Sequence, residues 1–272
     1  MPDLTLEEAL EITKIHSVAG ELKSKTGLIT KRPFRSPHHT ITCASMIGGG
    51  KIPKPGEISL AHFGVLFLDE LPEFNRNTLE VLRGPLEDRL VMISRVNSNF
   101  VYPCNFTLVA SMNPCPCGNF GNNDKECTCS RESIAKYRNK ISGPLLDRID
   151  IHIEVRAVKF QKLNNEDKIE KSQDIRKRVN MARDIQIKRY KDYGIFSNSE
   201  LTPKLIEQFC ALDRLGKEIL EKAYIRLGLS ARAYTRILKV ARTIADLDLS
   251  KNIEAKHLAE AIQYRSLDRK FF

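Results

Sequence analysis

The sequence predicts two fold classes in series, an α/β half followed by an all-α half. Before residue 156, short apolar runs alternate with helical stretches and with Gly/Pro turns, which indicates a largely parallel sheet. After residue 156 hardly any strand pattern occurs, and helix-capping signals take its place. The 272 residues are 42% hydrophobic, which is enough to bury the core of one or two domains.

The α/β half, residues 1–155, contains alternating strand and helix patterns. Strands are predicted at 65–68, 90–96, 100–102, 106–110 and 149–155, and helices at about 5–16, 75–87 and 130–141. The polar stretch 97–99 lies between two of these strands, which predicts a β-hairpin inserted before the core strand 106–110. Pro103 restricts the second strand of this hairpin to a sheet edge or a strand end.

The all-α half, residues 156–272, contains five predicted helices. They run over 166–191, 202–211, 214–227, 230–246 and 254–264. Ser230 and Ser250 stand at expected N-caps, and Gly194 and Gly228 stand where helices should stop. The segment 156–165 is the predicted linker between the two domains.

The positive charge of the chain is concentrated in the second half. Residues 1–155 carry 18 Lys+Arg and 18 Asp+Glu, whereas residues 156–272 carry 26 and 16, so the whole net charge of +10 lies there. A basic half favours a polyanionic partner such as DNA or RNA, bound in a salt-dependent way. Solvated Lys/Arg faces on helices are the alternative.

The composition also indicates the cellular compartment in which the protein is expected. No apolar run approaches the ~20 residues that cross a bilayer, and the N-terminus, MPDLTLEE, lacks the basic head and apolar stretch of a signal peptide. Seven cysteines without such a signal predict a reducing cytoplasm, where clustered cysteines bind metal more often than they form disulfides. We expect no membrane association.

The segment from Gly64 to Glu73, GVLFLDELPE, is the most informative in the chain. Four apolar residues lead into the carboxylates Asp69 and Glu70, at the carboxyl end of a predicted buried strand, where open α/β sheets bind ligands. In P-loop ATPases this is the Walker B arrangement, in which one carboxylate holds Mg²⁺ and the next polarises the attacking water. A core strand ending in a solvated Asp-Glu pair is the alternative.

Two further polar residues lie at strand boundaries. Asn113 follows the strand 106–110 and is suited to hydrogen-bond the attacking water or the γ-phosphate, although Asn before a proline also forms turns. Arg148 lies at a loop-to-strand junction, and in ring ATPases such an arginine is offered to the γ-phosphate of the neighbouring subunit. A local ion pair with Asp147 or Asp150 is the alternative.

A cysteine cluster is the second candidate site. Two Cys-x-Cys pairs, separated by nine residues, supply four thiolates for a tetrahedral Zn²⁺. Cys-x-Cys is tighter than the usual spacing, and reduced, unliganded thiols are the alternative. The four predicted ligands are Cys115, Cys117, Cys127 and Cys129. His38 and His39 are lesser candidates for metal or DNA contact, and on a strand one of them would be buried and the other exposed.

Six longer blocks carry a family resemblance. They are RPFRSPHHTIT at 32–42, GGGKIPKPGEISLAH at 48–62, GVLFLDELPEF at 64–74, SMNPCPCG at 111–118, GPLLDRIDIHIEV at 143–155 and SARAYTRILKVARTIADL at 230–247. In order and content these blocks resemble the magnesium-chelatase-like AAA+ ATPases of the YifB/ComM type. The resemblance extends over essentially the whole chain.

The resemblance implies a hexameric ring ATPase that uses ATP and Mg²⁺, with an AAA+ sheet and a helical lid. The hairpin 90–103 is similar to the family's presensor-I hairpin, and the stretch around 41–60 is similar to its helix-2 insert. The matched site residues are Asp69 and Glu70 for Walker B, Asn113 for sensor I, Arg148 for the trans arginine finger and Arg232 for sensor II, with Arg236 as a second candidate one turn along the same helix face.

One departure from the family pattern concerns the phosphate-binding loop. Gly-x-x-x-x-Gly-Lys-Ser/Thr occurs nowhere in the sequence, and Gly48-Gly-Gly-Lys51 lacks both the spacing and the following hydroxyl residue. In the family this loop lies just before the segment matched by 4–10. The chain is therefore expected to be a C-terminal fragment, truncated after Walker A and without a Lon-protease-like N-terminal domain. ATP turnover should fail in it because the phosphate cradle is missing.

These expectations combine into the ATPase core and lid of a ring motor that remodels DNA. A helicase or branch-migration role in recombination or natural transformation is preferred. A protein-remodelling motor, suggested by the family's Lon-like domain, and a magnesium-chelatase-type subunit, suggested by the clade name, are the alternatives. The basic lid and Arg95 at the hairpin tip favour DNA over a protein substrate.

Overall fold

The structure, a computed structural model, describes residues 1–22, 27–50, 52–95, 98–122, 124–155 and 170–265. The chain forms two compact units, one of residues Asp3–Ile149 and the other of the residues from Asp150 onward together with Met1–Pro2. No helix in the described ranges is long and apolar enough to cross a membrane. The predicted linker, 156–165, lies outside the described residues, and the predicted domain boundary stays a prediction.

The first unit contains short strands and mostly short helices. Its strands are β1 (Phe34–Arg35), β2 (Gly48–Gly49), β3 (Lys54–Pro55), β4 (Val65–Leu68), β5 (Leu90–Arg95), β6 (Ser98–Pro103) and β7 (Thr107–Ala110). Its helices are α1 (Leu6–Ala19), α2 (Cys43–Ile47), α3 (Glu57–Leu60), α4 (Arg76–Glu80), α5 (Arg83–Asp88), α6 (Arg131–Arg138) and α7 (Gly143–Leu146). A 3₁₀ turn, Leu71–Glu73, follows β4.

A three-stranded parallel sheet in the order β1-β4-β7 positions the candidate site. The central strand β4 pairs with β7 from Val65 opposite Thr107 to Leu68 opposite Ala110. Leu66 and Leu68 are fully buried in the core of this unit, whereas the alternate residues of β4 are half-buried. Because the strands are parallel, their carboxyl ends meet at one edge of the sheet.

The predicted hairpin is present as the antiparallel pair β5–β6. Its pairing begins with Leu90 opposite Pro103, so Pro103 does stand at a strand end. Ser98 and Asn99 were predicted in the tip but belong to β6, and residue 97 lies outside the described residues. The Tyr102 hydroxyl donates to the Pro53 carbonyl at 2.9 Å. This bond ties the hairpin to the loop that joins β2 to β3.

The second unit is helical in its described part. Its helices are α8 (Ser172–Arg189), α9 (Pro203–Phe209), α10 (Arg214–Leu227), α11 (Ala231–Leu247) and α12 (Ala255–Gln263). Ser230 caps α11 by accepting from the Ala233 N–H at 3.1 Å, and Gly228 ends α10 in a left-handed conformation. Both predictions are confirmed.

Three sequence predictions in this unit are wrong. Glu254, not Ser250, is the N-cap of α12, and α8 ends at Arg189, before Gly194. No strand forms at 149–155 among the described residues. Its alternating isoleucines mimic a strand, but Ile151 and Ile153 are exposed. The His152 N–H donates to the Tyr264 carbonyl at 2.8 Å.

Candidate functional site

The two carboxylates predicted to form Walker B lie at the carboxyl end of β4. Both Asp69 and Glu70 are exposed. The Asp69 Oδ1 accepts from the Glu70 N–H at 3.1 Å and makes a short hydrogen bond with the Ser111 hydroxyl. Ser111 follows β7, so the bond joins the ends of two neighbouring strands and fixes the orientation of the Asp69 carboxylate.

The backbone around Glu70 is held from both strands. The Ser111 N–H donates to the Leu68 carbonyl at 3.0 Å, and the Leu71 N–H donates to the Ser111 carbonyl at 2.9 Å. Between these bonds Glu70 adopts the left-handed conformation, with φ 53° and ψ 50°. A non-glycine residue in that region costs about 1–3 kcal/mol and persists where surrounding contacts impose it, often at functional sites. The strain is local to the predicted catalytic carboxylate.

Two aromatic residues flank Glu70. The His39 Nδ1 lies 3.9 Å from the Glu70 Oε2, and the His39 ring stacks on the His38 ring with centroids 4.0 Å apart. The two histidines lie outside any strand, so the expectation that they point to opposite sides does not hold. Tyr137 of α6 is buried, and burial, with the charges of Glu73 and Glu70, raises the pKa of its hydroxyl.

Asn113 lies on the same side of the sheet, three residues after β7. Its side chain is exposed, and its backbone lies near the hydroxyl of Tyr137, whose pKa it acts to lower. The structure therefore brings Asp69 and Glu70 to the sheet edge from which the chain also continues to Asn113. It does not assign a catalytic role to any of them.

Arg148 is in the interior of the first unit. Its side chain is 7% exposed and forms a short ion pair with Glu87 of α5, while its Nη1 donates to the Pro144 carbonyl at 2.7 Å. The partner is thus neither of the predicted neighbours, Asp147 nor Asp150. A role toward a neighbouring subunit stays a prediction.

The two sensor II candidates belong to the second unit. Arg232 is in the first turn of α11 and is exposed, whereas the half-buried Arg236 forms a short ion pair with Asp150. Asp150 is therefore the partner of Arg236 rather than of Arg148. The sensor II role of either arginine stays a prediction.

The four predicted zinc ligands are brought together. All four Sγ atoms lie within 4.8 Å of one another, and those of Cys115, Cys117 and Cys127 are separated by 3.4, 3.6 and 3.7 Å. Tetrahedral Zn²⁺ with Zn–S bonds of about 2.3 Å requires sulfur separations of about 3.8 Å. The cluster has the size and the donor set of such a site. The fold brings Cys115 and Cys127 together although they are 12 residues apart in the sequence.

Electrostatics also fit a cation at the cluster. The backbone N–H groups of Asn119 and Thr128 lower the pKa of Cys117 to about 6. For Cys127 the backbone N–H of Cys129 acts in the same direction, but desolvation and the neighbouring thiols outweigh it and raise the pKa to about 12. One thiolate thus forms easily, and further thiolates require a compensating positive charge.

Two contacts of the site were missed in the sequence analysis, Ser111 on Asp69 and His39 near Glu70, as was the position of the buried Tyr137 near Asn113. Ser111 was accessible to prediction, because it follows the strand next to β4 as directly as Asp69 follows β4 itself. The contacts of His39 and Tyr137 join distant loops and helices, and no local pattern signals them.

Comparisons with known proteins identify the family. The profile of the magnesium chelatase ChlI subunit matches residues 1–163, and that of the ChlI C-terminal region matches residues 169–265. The chain belongs to the magnesium chelatase ChlI family.

Two curated relatives are similar over nearly the whole chain. The uncharacterized protein YifB of Escherichia coli (strain K12) is 46% identical over 270 residues, which is 99% of this chain. The competence protein ComM of Haemophilus influenzae is 46% identical over 271 residues, also 99% of the chain. The chain is a magnesium-chelatase-like protein of the YifB/ComM type. It spans about half the length of these relatives, 52% of each.

Proposed function

We propose that this chain is the ATPase core and lid of a ring-forming AAA+ motor that acts on DNA. The observation that carries the proposal is the edge of the parallel sheet, where Asp69 and Glu70 stand beside Ser111 and the chain leading to Asn113. Exposed carboxylates at the carboxyl ends of parallel strands are suited to a nucleotide and its metal ion. The family membership supports the same assignment.

The residues at this edge are assigned separate roles. Asp69, whose carboxylate is oriented through Oδ1 by Ser111, would hold Mg²⁺, a cation that prefers oxygen ligands and neutralises phosphate charge when bound. Glu70 would orient the attacking water, and Asn113 would hydrogen-bond that water or the γ-phosphate. ATP would be held by a phosphate-binding loop supplied by a longer form of the protein, since the relatives are about twice as long.

Assembly into a ring would bring the predicted arginines to the nucleotide site. Arg148 would reach the nucleotide of the next subunit, and Arg232, with Arg236 as the second candidate, would act from the lid as sensor II. Because Arg148 is paired with Glu87 in this structure, its use in a ring requires that pair to open.

The DNA partner is supported by the charge of the second unit. The N-terminal half of α8 and the residue before it, 171–178, is exposed on every side, and it includes Lys171, Arg176, Lys177 and Arg178. Lys177 pairs with Asp174 and Arg178 with Glu170. Such an exposed basic segment is able to follow a phosphate backbone when phosphates replace these carboxylates. The name of the relative ComM, a competence protein, agrees with a role on DNA taken up during natural transformation.

Forked DNA binding at several salt concentrations tests the DNA partner. If phosphate contacts dominate, affinity should fall at least ~10-fold between 50 and 200 mM salt. Each of the single reversals Arg176→Glu and Lys188→Glu should weaken binding further, whereas Lys14→Glu, an equal charge change on an exposed residue of α1, should not. In a longer form with a phosphate-binding loop, none of these changes should alter basal ATP hydrolysis. A flat salt response would instead favour the protein-remodelling motor.

We also propose that Cys115, Cys117, Cys127 and Cys129 hold a structural Zn²⁺. Structural zinc sites contribute apparent binding free energies of about 10–16 kcal/mol, enough to order a segment that has few apolar residues. The site would fix the loop between Asn113 and α6. The sulfur separations of 3.4–3.7 Å carry this proposal.

Metal analysis tests the zinc site directly. Protein purified under reducing, anaerobic conditions without chelator should contain about one zinc per chain, and Cys127→Ser with Cys129→Ser should remove it. Cys43→Ser, a half-buried cysteine outside the cluster, should keep the metal. A metal-free anaerobic preparation of the unaltered chain would end this proposal.

A further inference from the structure

The end of helix α6 contacts Pro114, the residue after the candidate sensor Asn113, and the cysteine loop, defined as residues 115–122 and 124–129. The Arg138 Nε and Nη2 both donate to the Pro114 carbonyl, at 3.2 and 3.1 Å. The same guanidinium lies over the Phe120 ring, 5.0 Å from its centroid. The Phe120 N–H in turn donates to the Cys115 Sγ at 3.3 Å. One arginine thus links a cysteine of the cluster to the residue after Asn113.

The preceding residue of α6 completes the contact. Tyr137 is 7% exposed, and its hydroxyl lies near the backbone of Asn113. The buried Tyr137 is therefore beside Asn113, Arg138 holds Pro114, and the side chain of Asn113 is exposed.

We propose that Arg138 is a positioning residue. Because it contacts both Pro114 and the cysteine loop, the position of Asn113 depends on the conformation of that loop. The inference rests on the proposed ATPase function. A planar guanidinium can donate two bonds to one carbonyl while it stacks on an aromatic ring, and lysine can do neither in that geometry. Without these bonds the Pro114 carbonyl is no longer tied to α6, and Asn113 shifts relative to Glu70.

The test uses a longer form that carries a phosphate-binding loop and hydrolyses ATP. Arg138→Lys and Arg138→Ala should lower kcat by about 10- to 100-fold, because small misplacements of a catalytic group have effects of that size. KM for ATP should change less than about twofold, and the zinc content should stay at that of the unaltered protein. Lys136→Ala, which removes an equal charge from the exposed side of the same helix, should change none of these quantities.

A double-mutant cycle separates coupling from a merely structural role. Arg138→Ala should add little to the loss in kcat caused by Cys127→Ser with Cys129→Ser, because all of these changes disconnect the same loop from Asn113. Three outcomes would each overturn the inference. The losses in kcat could be additive, kcat could be unchanged in Arg138→Lys and Arg138→Ala, or these variants could lose zinc in parallel with kcat. If the unaltered longer protein binds no ATP, the proposed ATPase function itself fails, and that result is distinct from all three.

Discussion

Carboxylates are used in opposite ways in the two units of this chain. In the helical unit, Asp246 is fully buried and accepts from Arg189 at 2.9 Å, from Arg242 at 3.2 Å and from the Asn198 amide at 2.8 Å. In the α/β unit, Asp69 and Glu70 are exposed at a sheet edge. A buried charge needs such partners to remain charged, whereas an exposed carboxylate on a fixed backbone is available to a ligand. The comparison indicates that the first carboxylate serves the fold, and the exposure of the other two agrees with the role in ATP hydrolysis proposed for them.

Glu70→Gln should separate chemistry from stability. In a longer form with a phosphate-binding loop, the amide cannot accept a proton or orient water as the carboxylate does, so ATP turnover should fall by about 10²- to 10⁴-fold. ATP binding and the urea midpoint should stay close to those of the unaltered protein, because Glu70 is exposed. Loss of ATP binding as severe as that of a phosphate-loop lysine variant would contradict the role given to Glu70.

Asp246→Asn should have the opposite outcome. The substitution leaves Arg189 and Arg242 buried without the carboxylate, and breaking a buried pair by removing one partner costs about 3–5 kcal/mol. Denaturant unfolding of this chain should show that loss in the helical unit. Asp248→Asn, two residues later and half-exposed beside Lys256, is the matched control and should cost much less. Equal losses in the two variants would show that the buried network is not the source of the stability.

Local patterns predicted the elements whose signals are local. The alternation of apolar residues and the carboxylates that follow placed β4, and the serine and glycine signals placed the start of α11 and the end of α10. The rule that parallel strands end at one sheet edge brought Asp69 and Asn113 to the same side. The cysteine spacing was sufficient to predict the cluster.

Contacts between distant residues could not be predicted in this way. Glu87 and Arg148 are 61 residues apart, and Ser111 and Asp69 are 42 apart, so only the packed structure pairs them. The segment 149–155 has the alternation of a strand, but β-structure needs a neighbouring strand, and none pairs with it in the described part of the chain. The roles assigned to the site residues remain predictions because they depend on ligands and on neighbouring subunits.

A buried histidine of the α/β unit should make its stability pH-dependent, and this effect is the smallest of the three. His62 is 3% exposed; its Nδ1 accepts from the Asn105 N–H at 2.9 Å, and its Nε2 lies 3.1 Å from the Glu11 carboxylate. Burial lowers the pKa of His62 below its ordinary value of 6.5, although Glu11 opposes the change. The unfolded chain therefore takes up this proton at a higher pH than the folded chain.

The sign of the effect follows from that difference. The contribution of His62 to stability is fully present above about pH 6.5 and is lost as the pH falls through the lowered folded-state pKa. Urea unfolding at pH 7.5 and 5.5 should therefore show a loss of stability that is smaller in His62→Gln. His38→Gln, at an exposed histidine, should leave the loss unchanged. An equal loss of stability in the His62 variant would show that other groups cause the pH dependence. His62 would then not be a buried polar group that, like Asp246, serves the fold.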